Sequence, residues 1–185
     1  MEKPKGTKMK GFEMRDVIIF LVPTVIVIIT GCAPSQSGSE DVCYGNAGLP
    51  SVDNVTGGSA DNLFDDDLSK FWEENTGSFP HWAKYTFRTA KKIVRYVLYA
   101  DPLEPGRMPM TWTFEASTTG VFRGEQVELD MRTDQAGWGA KERREFTFVN
   151  TTPFRYYRLN ISAGNNQILR LAEIEMMESL GTSIR

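Results

Sequence analysis

The stretch TWTFEA, residues 111–116, decides the fold class, because apolar and polar side chains alternate along it without a break. Its apolar positions are Trp112, Phe114 and Ala116, and threonine or glutamate stands at the positions between and beside them. Successive side chains of a β-strand point to opposite faces of a sheet. The period of two therefore predicts a strand with one face in a hydrophobic core and the other in water.

The same alternation recurs in four further segments of the chain. They are VELDMR (127–132), EFTFVN (145–150), RYYRLNI (155–161) and LAEIEMM (171–177). In VELDMR the predicted core face is Val127, Leu129 and Met131. The segment IVRYVLYA (93–100) is apolar on both faces apart from Arg95, which favours an interior strand covered on both sides. Turn-rich segments separate the runs, so roughly seven or eight short strands predict an all-β sandwich.

The beginning of the chain has the pattern of a secretory signal. The uninterrupted apolar run Val17–Thr30 has 14 residues, whereas a helix needs about 20 to cross a bilayer. Five basic residues precede the run, and Ile29-Thr30-Gly31-Cys32 follows at its end. This tetrapeptide resembles a bacterial lipobox, which implies cleavage before Cys32 and acylation of that cysteine. An ordinary secretory peptide or a short tilted anchor helix remains the alternative.

These features predict four regions along the chain. Residues 1–31 are a lipoprotein signal peptide, and residues 32–51, rich in Ser, Gly and Pro, are a flexible tether. Residues 52–178 form the β-sandwich, and residues 179–185 are a C-terminal tail.

Charge and cysteine content exclude several classes of partner. Removal of residues 1–31 leaves 16 basic and 21 acidic residues, a net charge of −5, which argues against nucleic acid and against capture by anionic lipid. With Cys32 acylated, Cys43 is the remaining thiol, so an intrachain disulfide is not available. We expect Cys43 to be an incidental free thiol, with an intermolecular bridge as the alternative.

Five segments in order resemble one known family. NLFDDDLSKFW, HWAKYTF, MTWTFEAST, FRYYRLNI and LAEIEMM are similar to the discoidin domain, also called the coagulation factor V/VIII C-type domain. Its galactose-binding-like fold is shared with family 32 carbohydrate-binding modules. The resemblance covers about residues 52–178 and implies an eight-stranded jelly-roll β-sandwich with recognition loops at one end. It also implies that Trp72, Trp82 and Trp112 belong to the core.

The resemblance further implies one structural calcium ion beneath the loops. The ligand pattern falls on Asn62, Asp65, Asp67, Lys70, Ala172 through its carbonyl, and Glu173. Oxygen-rich sets of this kind suit calcium. Lys70 replaces the usual hydroxyl residue, so either calcium binds with one ligand lost, or the Lys70 ammonium neutralises Asp65 and Glu173. A merely solvated acidic turn is the third interpretation.

Catalytic motifs are scarce, and a sugar-binding site is the better match. The chain has one histidine and lacks HExxH, CxxC and a glycine-rich phosphate loop. Sugar recognition needs an aromatic face and fixed polar groups. The resemblance assigns this role to loop residues, here Asn75, His81, Arg107 and Trp138. A packing role for His81, a solvated charge at Arg107 and core capping by Trp138 remain open.

The sequence thus predicts a non-catalytic carbohydrate-binding module, displayed as a lipid-anchored lipoprotein of the bacterial cell envelope, in the outer membrane or at the cell surface. Its partner would be a glycan or a glycoprotein, and only the N-terminal lipid would contact the membrane. A protein–protein interaction or adhesion module of a cell-envelope complex is the alternative, because one fold serves many functions. An uncharacterised glycan-active enzyme is the third.

Overall fold

Eleven β-strands account for most of the regular structure in residues 41–43 and 47–178, the part of the chain that this computed structural model describes. The strands are β1 (Gly48–Val52), β2 (Gly57–Gly58), β3 (Trp72–Glu74), β4 (His81–Lys91), β5 (Ile93–Tyr99), β6 (Pro109–Ser117), β7 (Val127–Arg132), β8 (Arg143–Thr147), β9 (Phe154–Gly164), β10 (Leu169–Leu171) and β11 (Glu173–Glu178). Short 3-10 turns cover Asp61–Leu63, Pro105–Arg107 and Asn165–Gln167. Within the described residues no helix is long and apolar enough to cross a membrane.

The strands form two principal antiparallel sheets and one small one. The five-stranded sheet has the order β1-β4-β9-β6-β7, the main three-stranded sheet is β11-β5-β8, and β10-β3-β2 forms the small sheet. The interior strand predicted for residues 93–100 is β5, at the centre of its sheet. Eight strands in the two principal sheets make up the β-sandwich that the sequence predicted.

Aromatic side chains of both principal sheets fill the space between them. The Tyr96 ring of β5 stacks on the Phe114 ring of β6, with centroids 4.4 Å apart. The Tyr96 hydroxyl accepts a hydrogen bond from Trp112 Nε1 (2.7 Å) and donates one to Asp130 Oδ2 (2.8 Å). The predicted inward faces of residues 111–116, 155–161 and 171–177 are buried. The period-two analysis is confirmed for these three strands.

The predicted inward face of β7 is wrong at Met131. Met131 lies opposite the outward-facing Thr113 and is 56% exposed, whereas Asp130 takes the inward position opposite Phe114. The pairing between β6 and β7 shifts at Phe114/Glu115, so Leu129 is an extra residue in β7. A bulge of this kind reverses the alternation beyond it.

The folded domain begins before residue 52, so the predicted tether 32–51 is too long. Gly48–Val52 forms β1 and pairs with β4. Cys43 is fully buried and Tyr85 donates a hydrogen bond to its carbonyl (2.8 Å), while the Asp41 carboxylate accepts one from Met176 N (2.7 Å). The signal peptide 1–31, Cys32 and the tail 179–185 lie outside the described residues.

One of the three tryptophans assigned to the core is placed differently. Trp72 and Trp112 are fully buried, but Trp82 is only partly buried and faces outward from β4. Residues 81–87 of β4 alternate strictly between buried and partly buried, and Trp82 has the opposite parity to the buried Ala83 and Tyr85. Its ring therefore belongs to the outer face of the five-stranded sheet.

Candidate functional site

Loops at one end of the sandwich enclose a pocket, which we call the loop-end pocket. Residues 100–108 connect β5 to β6, residues 133–142 connect β7 to β8, and residues 165–168 connect β9 to β10. Gln135 N donates a hydrogen bond to the Met110 carbonyl (2.9 Å), which ties the second connection to β6. The cavity has a volume of about 280 Å³. Its lining residues are Pro105, Gly106, Met108, Met110, Gln135, Ala136, Gly137, Trp138 and Asn165.

Trp138 forms an apolar wall of this pocket. Its side chain is 8% exposed, and its Nε1 donates a hydrogen bond to the Gln135 carbonyl (2.8 Å). The Arg144 guanidinium lies 4.0 Å from the indole centroid and donates to the carbonyls of Ala136 and Gly137 (both 3.1 Å). A cation–π contact therefore holds one side of the ring. Of the two roles that the sequence left open for Trp138, sugar contact and core capping, the structure is compatible with both, because the ring is packed and also lines a cavity.

Arg107 stands beside the pocket rather than in its lining. Its guanidinium donates to Glu73 Oε2 (2.9 Å) and lies 3.4 Å from a Glu104 oxygen. Arg170 bonds the same Glu73 oxygen through Nε and Nη2 (2.7 and 2.6 Å). One carboxylate thus holds two guanidiniums, and the 3-10 turn of Arg107 brings Pro105 and Gly106 to the pocket.

The other two predicted ligand residues do not line the pocket. His81 is 3% exposed, its Nδ1 lies 2.9 Å from Asp53 Oδ2, and the Phe79 ring packs at 5.1 Å from the imidazole. Its Nε2 is buried without a hydrogen-bond partner among the described residues. Asn75 is exposed in the turn after β3. A packing role for His81 therefore fits its position better than contact with a ligand.

Sequence reasoning missed eight of the nine residues that line the pocket, all except Trp138. Met108 directly precedes β6 and Met110 is its second residue, and the amides of Gln135 and Asn165 come from two other connections. In the sequence, DQAGWG and SAGNNQ are turn-rich segments, and of their residues only Trp138 was assigned to a sugar-binding site. These two loops lie together because the strands that lead into them, β7 and β9, both pair with β6 and end beside its first residues. The amino-acid composition of a turn does not reveal which strands are neighbours.

The predicted metal ligands form an acidic cluster around the loop 61–70 and the start of β11. Lys70 Nζ lies 2.7 Å from Asp65 Oδ2 and 3.3 Å from Asp67 Oδ2. Asp66 N donates to Glu173 Oε2 (3.0 Å), and Glu173 Oε1 is buried without a hydrogen-bond partner among the described residues. Burial, and then the charges of Asp66, Asp65 and Asp41, raise the pKa of Glu173 to about 9.

The remaining predicted ligands also have partners of their own. The Asn62 amide donates to the Phe71 carbonyl (2.8 Å) and accepts from the Ser59 hydroxyl (3.0 Å). Ala172 N donates to the Tyr99 carbonyl (3.2 Å).

This arrangement suits the lysine better than a calcium ion. Within residues 41–43 and 47–178, no three His, Cys, Asp or Glu side chains are placed to hold one metal ion. The Lys70 ammonium contacts Asp65 and Asp67, two of the predicted calcium ligands. It does not pair with Glu173, which the second interpretation had expected. Calcium binding stays a prediction.

Comparison with known proteins identifies the fold. No family model and no curated protein matches the chain. A chitosan-binding module of a chitosanase/glucanase from Paenibacillus sp. IK-5 is 16% identical, with a TM-score of 0.60, covering 74% of this chain and 98% of that one. The family 32 module of NanJ from C. perfringens, solved with galactose, is 14% identical, with a TM-score of 0.60 and coverage of 72% and 95%. An F5/8 type C domain from Bacteroides fragilis is 14% identical, with a TM-score of 0.60 and coverage of 72% and 93%. The chain has the galactose-binding-like fold of these domains.

Proposed function

We propose that the protein is a non-catalytic carbohydrate-binding module that holds a neutral sugar residue in the loop-end pocket. The observation that carries this proposal is the composition of the pocket wall: the Trp138 ring and two methionines beside the Gln135 and Asn165 amides. A pyranose presents an apolar face and a rim of hydroxyls. Aromatic and thioether surfaces suit the first, and amides, which both donate and accept hydrogen bonds, suit the second.

The chemistry of the lining supports binding rather than catalysis. None of the described residues that line the pocket is an acid, a base or a nucleophile. Glycoside hydrolysis generally uses two carboxyl groups on either side of the scissile bond. At the level of fold, the similar modules from Paenibacillus sp. and C. perfringens bind chitosan and were solved with galactose, respectively. Both facts support a glycan as the partner.

The N-terminal sequence supports display on a bacterial cell envelope. In this proposal the chain is cleaved before Cys32 and acylated there, so that the lipid anchors the module and the glycan is held near the cell. Two or more acyl chains give stable membrane attachment, because each buried methylene contributes about 0.8 kcal/mol. Mass spectrometry of the mature N-terminal peptide tests this step, and the Cys32→Ser variant should lose the lipid.

A glycan array probed with the full chain in detergent tests the binding function. Gln135→Ala and Asn165→Ala should each weaken binding about threefold to tenfold, the range for one lost hydrogen bond. Gln126→Ala and Asn54→Ala are matched controls, because these amides lie outside the pocket. Absence of binding to any glycan by folded protein would overturn the proposal and favour the protein-interaction alternative.

A further inference from the structure

A second pocket lies on the outer face of the five-stranded sheet, and we call it the outer-face pocket. Trp82, Lys84 and Arg158 of the sheet form its floor, and loop residues 120–123 form its wall. Its volume is about 280 Å³, near the lower end of small-molecule sites, which run from about 300 to 1,000 Å³. The size suits one sugar residue.

The wall is a structured part of the connection between β6 and β7. The Glu125 carboxylate accepts hydrogen bonds from the Ser117 hydroxyl (2.7 Å) and from Phe122 N (2.7 Å). Phe122 has a positive φ of 54°, which non-glycine residues rarely adopt. Such conformations persist where surrounding contacts enforce them, and they are frequent where a loop clamps a ligand.

Two positive charges in this pocket have no ion-pair partner among the described residues. Arg158 stacks on the Phe122 ring at 4.4 Å and bonds Glu115 Oε2 through both Nε (2.9 Å) and Nη2 (2.6 Å), so its own charge is balanced. Within residues 41–43 and 47–178, no carboxylate forms an ion pair with Lys84 or Arg123. The pocket is therefore positive on a chain whose net charge is −3.

The sheet register places like charges together at this point. Lys84 on β4 is directly opposite Arg158 on β9. Glu115 already pairs with Arg158, so Lys84 is the cation of this pair that an anion could still neutralise. The partly exposed Trp82 ring, 5.5 Å from Lys84 Nζ, offers an aromatic face next to it.

We propose that the outer-face pocket binds a sugar residue that carries a carboxylate or a sulfate group. The ring of the sugar packs against Trp82, and its anionic group lies between Lys84 and Arg123. This site is separate from the loop-end pocket, and neither proposal depends on the other.

The test follows the indole NMR signal of Trp82 in the full chain during titration with galacturonate, galactose 6-sulfate, galactose and inorganic sulfate. The two anionic sugars should bind at least about tenfold more tightly than galactose or sulfate. Lys84→Met and Arg123→Gln should each weaken the anionic sugars about tenfold, which corresponds to about 1.4 kcal/mol. Lys92→Met is the matched control, because it removes the same charge outside the pocket.

Three results would overturn the proposal. Equal affinity for galactose and galacturonate would remove the role of charge, and equal affinity for inorganic sulfate would remove the role of the sugar ring. Unchanged affinity in Lys84→Met and Arg123→Gln would exclude these side chains. Binding of neutral glycans at the loop-end pocket is followed separately through the Trp138 signal, so the failure of one site leaves the other test intact.

Discussion

Replacement of the buried Glu173 by glutamine should stabilise the protein at neutral pH. Glu173 is 1% exposed, and within the described part of the chain only one of its carboxylate oxygens has a hydrogen-bond donor, the backbone N–H of Asp66. Burial, followed by the charges of neighbouring carboxylates, raises its pKa to about 9 from an ordinary value of 4.5. Glutamine has the same shape, keeps an oxygen for the Asp66 N–H and carries no charge.

The size of the effect follows from proton linkage. Between pH 4.5 and about 9 the folded chain keeps the Glu173 proton, whereas the unfolded chain has released it. The folded state binds more protons in this window, so stability falls as pH rises, by about 1.4 kcal/mol per pH unit. At about pH 7.5 the accumulated cost approaches about 4 kcal/mol, which Glu173→Gln should recover. Near pH 4.5 the two proteins should be about equally stable.

Urea unfolding of the full chain in EDTA, at about pH 5 and about pH 7.5, measures this difference. Glu128→Gln is the control, because Glu128 is exposed on β7 and forms no ion pair with a described residue. A variant no more stable than the native protein at the higher pH would refute the reasoning, since Glu173 would then be ionised in the fold. Calcium that stabilises the native protein but not Glu173→Gln would show instead that the cluster holds the metal.

Three further predictions concern the core and the loops. Tyr96→Phe removes the hydroxyl that bonds Asp130, and we expect a loss of about 1–3 kcal/mol in the free energy of unfolding, measured in urea. Gly120→Ala should destabilise by at least about 1 kcal/mol and broaden the NMR signals of residues 120–123, because Gly120 has φ +79° and a Cβ would lie 2.6 Å from the Tyr156 ring. Cys43 is fully buried, and burial raises its pKa, so native protein should resist iodoacetamide at Cys43 while urea-unfolded protein reacts, as read by peptide mass spectrometry.

Strand patterns could be read from the sequence because they depend on local alternation. The alternation in residues 155–161 places Tyr157, Leu159 and Ile161 in the core as expected. In β4, His81 has the same parity as the buried Ala83, so the alternation of that strand indicates an inward side chain, although the resemblance assigned His81 to a ligand site. The bulge at Leu129 is different, because it depends on pairing with β6 and leaves no mark in the sequence of β7.

The candidate sites were only partly predictable because they are assembled from distant segments. Trp138 was assigned to the sugar-binding site because the resemblance points to its loop, which offers an aromatic side chain. Asn165 and Gln135 join it only through the order of the strands. The pairing of Lys84 with Arg158 likewise depends on the register between β4 and β9, which a single strand does not reveal.

The two pockets should respond differently to salt, because the fold has distributed charge unequally between them. At the loop end, Arg107 and Arg170 share the Glu73 carboxylate, and the residues that line the pocket are uncharged. On the outer face, Lys84 and Arg123 have no described counter-charge. Exposed charges are screened within about 8 Å at physiological ionic strength and within about 3 Å at 1 M salt.

Raising the salt concentration should therefore weaken the binding of anionic sugars at the outer face severalfold. It should leave the binding of neutral sugars at the loop end nearly unaffected, as measured by titration of each indole signal. A common salt dependence at both signals would mean that the ion pairs around Glu73 open when a ligand binds, and the loop-end pocket would then present charge after all.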